Sequence, residues 1–287
     1  MSYPDDLREA IDRHLETITF STEAETKGLD DAMLYSLLAG GKRIRPVLCL
    51  ATAEALGEPI DAYLDIAAAL EMVHTYSLVH DDLPAMDDDD LRRGKPTSHI
   101  RYGEAVAILA GDGLFAEAVR TLAAIPGKPD RVLEAVTVLA GATGVTGMVG
   151  GQYVDVTGSD LDADGLLQLH SLKTGRLIRA SVECALAYAG VPADGREPYE
   201  RFATELGILF QIVDDILDVT GSDEELGKPR GSDERHGKVT FVSLHGLDRA
   251  RELAGESHAR TLAALERADG ETESLRSVAD YIYRRET

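Results

Sequence analysis

The chain has 287 residues, 44% of them hydrophobic, which is enough apolar material for a large core. Acidic residues outnumber basic ones 51 to 29, and the formal charge of -22 disfavours binding to nucleic acid or to an anionic membrane. Only seven lysines are present, Lys27, Lys42, Lys95, Lys128, Lys173, Lys228 and Lys238, and such an acidic, lysine-poor composition is expected of a halophilic protein.

From the N-terminus, Met-Ser-Tyr-Pro-Asp-Asp is acidic and has no apolar signal core, and no run has the length and apolarity expected of a membrane helix. A soluble, cytoplasmic protein without a membrane span is expected. Long Ala/Leu/Val/Ile segments follow at 31–39, 44–56, 62–82, 104–123, 130–149, 164–189, 197–219 and 239–268, so the fold is expected to be all-α with no convincing strand. Between them stand turn sequences such as Gly57-Glu-Pro59, Ile125-Pro-Gly127 and Gly190-Val-Pro192, each a short connection between packed helices. No linker, repeat or low-complexity tract divides the chain, and one domain over 1–287 is preferred to two. Cys49 and Cys184 sit in apolar helical contexts without metal-type spacing and read as buried, reduced thiols.

Two aspartate clusters interrupt this apolar pattern: Asp81-Asp82-Leu-Pro-Ala-Met-Asp87 and Asp214-Asp215-Ile-Leu-Asp218. Carboxylates this dense repel one another, and hard divalent cations are the natural means of tolerating them. Mg²⁺ takes one or two carboxylates together with water and substrate phosphate oxygens, the arrangement suited to a diphosphate. Gln211, Asp214, Asp215 and Asp218 fall at i, i+3, i+4 and i+7, one helical stripe that is expected to face a polar cavity or water. His74, Ser77 and Asp81 follow i, i+3, i+7 until Pro84 disturbs the helix, a break that lets Asp87 swing back toward Asp81. Asp88, Asp89 and Asp90 read as solvated loop acids.

Cations accompany the acids: Lys42 and Arg45 after a Gly-Gly pair, Arg92 and Arg93 after the first cluster, then Lys173-Thr174-Gly, Gly-Lys228 and Gly-Lys238. Guanidinium forks grip phosphate oxygens bidentately and lysines add mobile point charges, a mixture that suits diphosphates.

Gly-Gly-Lys42-Arg-Ile-Arg45-Pro, the Asp81–Asp87 element with its Arg92-Arg93-Gly-Lys-Pro-Thr continuation, Lys173-Thr174-Gly, Phe210-Gln211-Ile-Val-Asp214-Asp215-Ile-Leu-Asp218, Gly-Lys228 and the ending 278–285 resemble the trans-isoprenyl diphosphate synthases in order and spacing. The nearest resemblance is to bacterial-type farnesyl and geranylgeranyl diphosphate synthases, and it covers essentially the whole chain. It implies a helical bundle with a central cavity, a likeness to homodimeric enzymes, and a reaction that joins isopentenyl diphosphate head-to-tail to allylic diphosphates such as dimethylallyl or geranyl diphosphate. It further implies three Mg²⁺ ions held by Asp81, Asp87 and Asp214, with Asp82, Asp215 and Asp218 acting behind them. Lys42, Arg45, His74 and Arg93 are implied to hold isopentenyl diphosphate; Arg92, Lys173, Lys228 and Lys238, the allylic diphosphate. Thr174 and Gln211 are implied to lie beside the reacting carbons. No side chain reads as a strong base, so the released pyrophosphate is the expected proton acceptor.

Tyr76 and Ser77 are the expected chain-length positions. Tyr76 lies five residues deeper than Asp81, about 7.5 Å along a helix. An aromatic there, with two extra residues inside the first motif, resembles synthases that stop at C15, making farnesyl diphosphate the expected product and the C20 geranylgeranyl diphosphate the alternative. Two readings of other classes are a non-catalytic partner subunit, which would be expected to have lost acids or cations that are present here, and a Ca²⁺-binding helical module, which leaves the spaced cations without a role.

Overall fold

The computed structural model describes residues 3–158, 162–221 and 239–284. It is all-α, as expected. The first half contains α1 (Asp5–Leu15), α2 (Lys27–Leu37), α3 (Ile44–Ala55), α4 (Leu64–Asp81), α5 (Ser98–Tyr102), α6 (Glu104–Ala123) and α7 (Pro129–Thr143). The second half contains α8 (Met148–Thr157), α9 (Ala163–His170), α10 (Arg176–Ala189), α11 (Ala193–Thr220), α12 (Phe241–His245), α13 (Leu247–Leu265) and α14 (Glu273–Arg284).

Helices α3, α4 and α10 carry apolar residues around most of their circumference and are accordingly buried, for a helix greasy on all sides has no face to offer water. α3 and α10 both pack on α4 and on each other, and α11 packs along α10. Around this centre α6 lies against α4, α7 against α10, and α13 against α11, each with one apolar stripe inward. Cys49 and Cys184 are buried and unbridged in this core.

Three expectations are corrected. The segment 130–149 is two helices, because the chain leaves helical geometry at Gly144 and re-enters at Met148; α7 and α8 are each shorter than the roughly 20 residues needed to span a bilayer. The segment 239–268 is likewise divided at Gly246, where φ is 82°. A minimal hairpin is also present, β1 (Leu91–Arg92) and β2 (Lys95–Pro96), with Leu91 opposite Pro96 and Arg92 opposite Lys95. Its two central residues, Arg93 and Gly94, have φ of 53° and 72°, the signature of a type I′ turn. Hairpins this short carry no periodicity, so only the turn residues advertise them.

Candidate active site

The site is built around the C-terminal end of α4. Asp81 is its last residue, and the chain then folds back through Pro84 so that the Asp87 amide donates to the Asp81 carbonyl at 2.9 Å. The proline-induced return of Asp87 toward Asp81 is therefore observed. Burial, reinforced by the neighbouring Asp87 and Asp82 and opposed by Lys173 and Arg92, pushes the Asp81 carboxyl up to about 6. Asp82 points elsewhere: it is buried against Arg92, which donates through Nε at 2.7 and 3.0 Å and through Nη2 at 2.5 Å. Asp89 also reaches Arg92, at 3.7 Å, so this member of the Asp88–Asp90 run is paired rather than simply solvated.

The β1–β2 turn sends the next arginine to another neighbour. Arg93 donates to the Gly40 carbonyl, and its guanidinium lies so close to Gly41 that a Cβ there would come within 2.6 Å of it. Any side chain at 41 would displace that cation. Arg45 stands beside Arg93 with its Nε buried and without a protein partner, and burial lowers its pKa to about 10 against the opposing pull of Glu71 and Asp214. His74, one turn after Glu71 on α4, is held neutral by burial and by the fields of Arg45 and Arg93. Lys42 lies over the Tyr281 ring at 5.2 Å and lines a pocket of about 630 Å³ with Tyr3, Arg8 and Arg284.

The second aspartate stripe divides in a way that its spacing does not reveal. Asp215 is 2% exposed and turned into the protein, accepting from Gln211 Nε2 at 2.8 Å and from the Phe241 amide at the start of α12 at 2.7 Å, with His170 Nε2 at 3.9 Å. Asp218 is buried as well. Asp214 is less buried and lies within the field that reaches Arg45. The expectation of one stripe facing a polar cavity or water is corrected for Asp215, because the polar N-terminus of α12 supplies an interior partner for its carboxylate, while Asp218 is buried and Asp214 half-buried.

Between α9 and α10, Ser171–Gly175 forms a π-helical turn, a local widening that recurs at functional sites. It carries Lys173 and Thr174. Lys173 is bonded to Asp155 of α8 at 2.6 Å and acts electrostatically on Asp81. Asp155 was not anticipated from the sequence. Its signal is Gly150-Gly151: a Cβ at 151 would lie 2.3 Å from the Lys173 backbone nitrogen, so glycine is what lets α8 approach the π turn. Lys228 and Lys238 lie outside the described residues.

Asp81, Asp87, Lys173, Asp214, Arg45, Arg93 and His74 are thus linked through backbone bonding and mutual fields. Among the described residues no three carboxylates, imidazoles or thiols close a protein-only metal cage. The donor set nevertheless fits Mg²⁺, which binds through few carboxylates and completes its shell with water and phosphate; a crowded Asp81 beside Asp87 is what a hard cation would relieve.

The polyprenyl synthetase family model matches residues 26–282. Farnesyl diphosphate synthase of Geobacillus stearothermophilus is 46% identical over 248 residues, covering 85% of this chain and 82% of the relative. A chloroplastic geranylgeranyl pyrophosphate synthase of Capsicum annuum is also 46% identical, over 262 residues, covering 88% of this chain and 70% of the relative. Among solved structures, a geranyltransferase of Helicobacter pylori complexed with magnesium and isoprenyl diphosphate superposes with a TM-score of 0.86 at 32% identity, covering 99% of this chain and 98% of that one. An FPP/GFPP synthase of Zymomonas mobilis gives a TM-score of 0.86 at 36% identity, covering 97% and 96%. The chain belongs to the polyprenyl synthetase family.

Proposed function

We propose that this short-chain trans-prenyltransferase makes farnesyl diphosphate, condensing isopentenyl diphosphate with dimethylallyl and then geranyl diphosphate. The observation that carries the C15 product is Tyr76, buried beneath Asp81 and boxed by aromatic contacts with Phe115 at 5.6 Å and His80 at 5.8 Å. A bulky ring braced from α6 is a floor that a growing tail meets early. Ser77, the other chain-length position, donates to the His74 carbonyl at 2.8 Å.

Asp81 and Asp87 from one wall and Asp214 from the other would hold Mg²⁺, three ions per site, and the charge neutralisation they would supply favours loss of the allylic diphosphate. Lys173 and Arg92 face the allylic diphosphate, and the same substrate is the proposed ligand of Lys228 and Lys238. Lys173 is aimed by Asp155, and Arg92 is anchored by Asp82. Lys42, Arg45, Arg93 and neutral His74 hold isopentenyl diphosphate so that its double bond attacks the allylic carbon, forming one C–C bond as the C–O bond is lost. The proton released from the adduct goes to the departing diphosphate. Gln211, whose amide nitrogen is committed to Asp215, presents its carbonyl oxygen to developing positive charge together with the Thr174 hydroxyl.

The whole chain works as one domain, in the cytoplasm, as a homodimer associated through α6, where Ile108, Leu109 and Phe115 are exposed on an otherwise strongly acidic protein. Product analysis by chain length with each allylic starter, at low and high salt, tests the assignment. C15 is expected from both starters; accumulation of C20 would replace the farnesyl reading by the geranylgeranyl one.

A further inference from the structure

Glu71 is a buried acid that the reaction above does not use, yet it stands among the cations of one substrate pocket. It accepts a 2.6 Å bond from Arg43, and both side chains are 2% exposed. Arg43 also donates through Nε to Asp12 of α1 and through Nη2 to the Leu37 carbonyl at the end of α2, each at 2.9 Å. One guanidinium thus fastens α1, α2 and α4 to the residue that opens α3. It does so from a left-handed backbone, φ 53°, with Lys42 and Arg45 on either side taking other directions. The field of Glu71 also favours the charged forms of Arg45 and Arg93, whereas Arg93 opposes the charge of Arg45, and Arg43 and Arg92 oppose that of Arg93. Assembling several guanidiniums with no anion between them is costly, and a pocket that waited for substrate to gather them would lose that cost from its affinity.

We infer that Glu71 is a positioning residue for the isopentenyl diphosphate pocket, the buried counter-ion shared by Arg43, Arg45 and Arg93 that keeps them assembled before the diphosphate arrives. This rests on the placement of Arg45 and Arg93 in that pocket. Glu71→Gln keeps the shape and an acceptor for Arg43 but removes the charge. The expected result is a rise of about tenfold in KM for isopentenyl diphosphate with the KM for geranyl diphosphate within about twofold. In EDTA, the increase in Tm produced by isopentenyl diphosphate shrinks in parallel, and Glu71→Asp restores part of both. A KM for isopentenyl diphosphate at or below the wild-type value, or both KM values rising together, overturns the inference.

Should Glu71→Gln fail to fold, Glu71→Gln/Arg43→Gln neutralises both ends of the buried pair. Arg45 and Arg93 still lack their counter-ion in it, although Arg93 is also freed from the repulsion of Arg43, so a smaller rise confined to isopentenyl diphosphate is expected, and wild-type KM values overturn the inference. Arg45→Ala separates the two levels. If it leaves the KM for isopentenyl diphosphate unchanged, the pocket assignment fails and the inference with it. If it raises that KM while Glu71→Gln does not, the pocket stands and only the role of Glu71 falls.

Discussion

Individual side chains in this site are constrained from behind as much as they face substrate. Replacing Asp81 or Asp214 by alanine removes a proposed metal ligand and is expected to lower turnover about a thousandfold, ~4 kcal/mol of transition-state stabilisation. Near-normal Mg²⁺-dependent activity in either variant would show that the ligands are wrongly assigned. Arg93→Ala is expected to raise the KM for isopentenyl diphosphate about thirtyfold, ~2 kcal/mol for charge-assisted bonds to a diphosphate. A change confined to the allylic KM would move Arg93 to the other substrate. His170 gives a pH signature: burial lowers its pKa to about 4 from the ordinary 6.5. Between those values the unfolded chain binds the proton and the folded one does not, so stability falls as pH drops through that window. Urea unfolding at intervals from pH 7 to 4 should show a shallower decline for His170→Gln; identical slopes would remove His170 from the acid response.

At the scale of elements, the proposed control of product length lies between α4, which carries Tyr76, and α6, which carries Phe115. Tyr76→Ala opens the space in front of Phe115 and is expected to shift products beyond C15, as read by chromatography of the hydrolysed alcohols. An unchanged distribution would mean that Tyr76 is core packing alone. The boundaries of α6 and the start of α3 were legible in the sequence because an apolar period ends there against glycine, proline or charge. The split of 130–149 was not, since its glycines occur within an unbroken apolar tract and only tertiary packing selects the break. The π turn was equally invisible, because widening one turn leaves the apolar pattern almost unaltered. Within the candidate site, the first-cluster geometry followed from Pro84. The inward rotation of Asp215 depended on α12, whose amide arrives from 26 residues away in sequence.

For the molecule as a whole, composition carries a prediction that no local contact makes. A net charge of -22 opposes compaction, and salt screens that repulsion. Thermal stability is therefore expected to rise from low to molar KCl, and equal Tm values at both would end the proposal of salt adaptation. Cations are kept where the fold needs them: Arg43, Arg92 and Lys173 are each matched to a named acid. The hairpin at 91–96 then acquires a meaning at this scale. Arg92 is tethered to Asp82 and the adjacent Arg93 to the Gly40 loop, so under the proposed assignment of Arg92 to the allylic diphosphate and Arg93 to isopentenyl diphosphate a two-residue turn forms the wall between the two sites. Neither tenant can push on that wall without the other feeling it; occupancy by one diphosphate should alter the affinity for the second, and by the same factor in either order of addition.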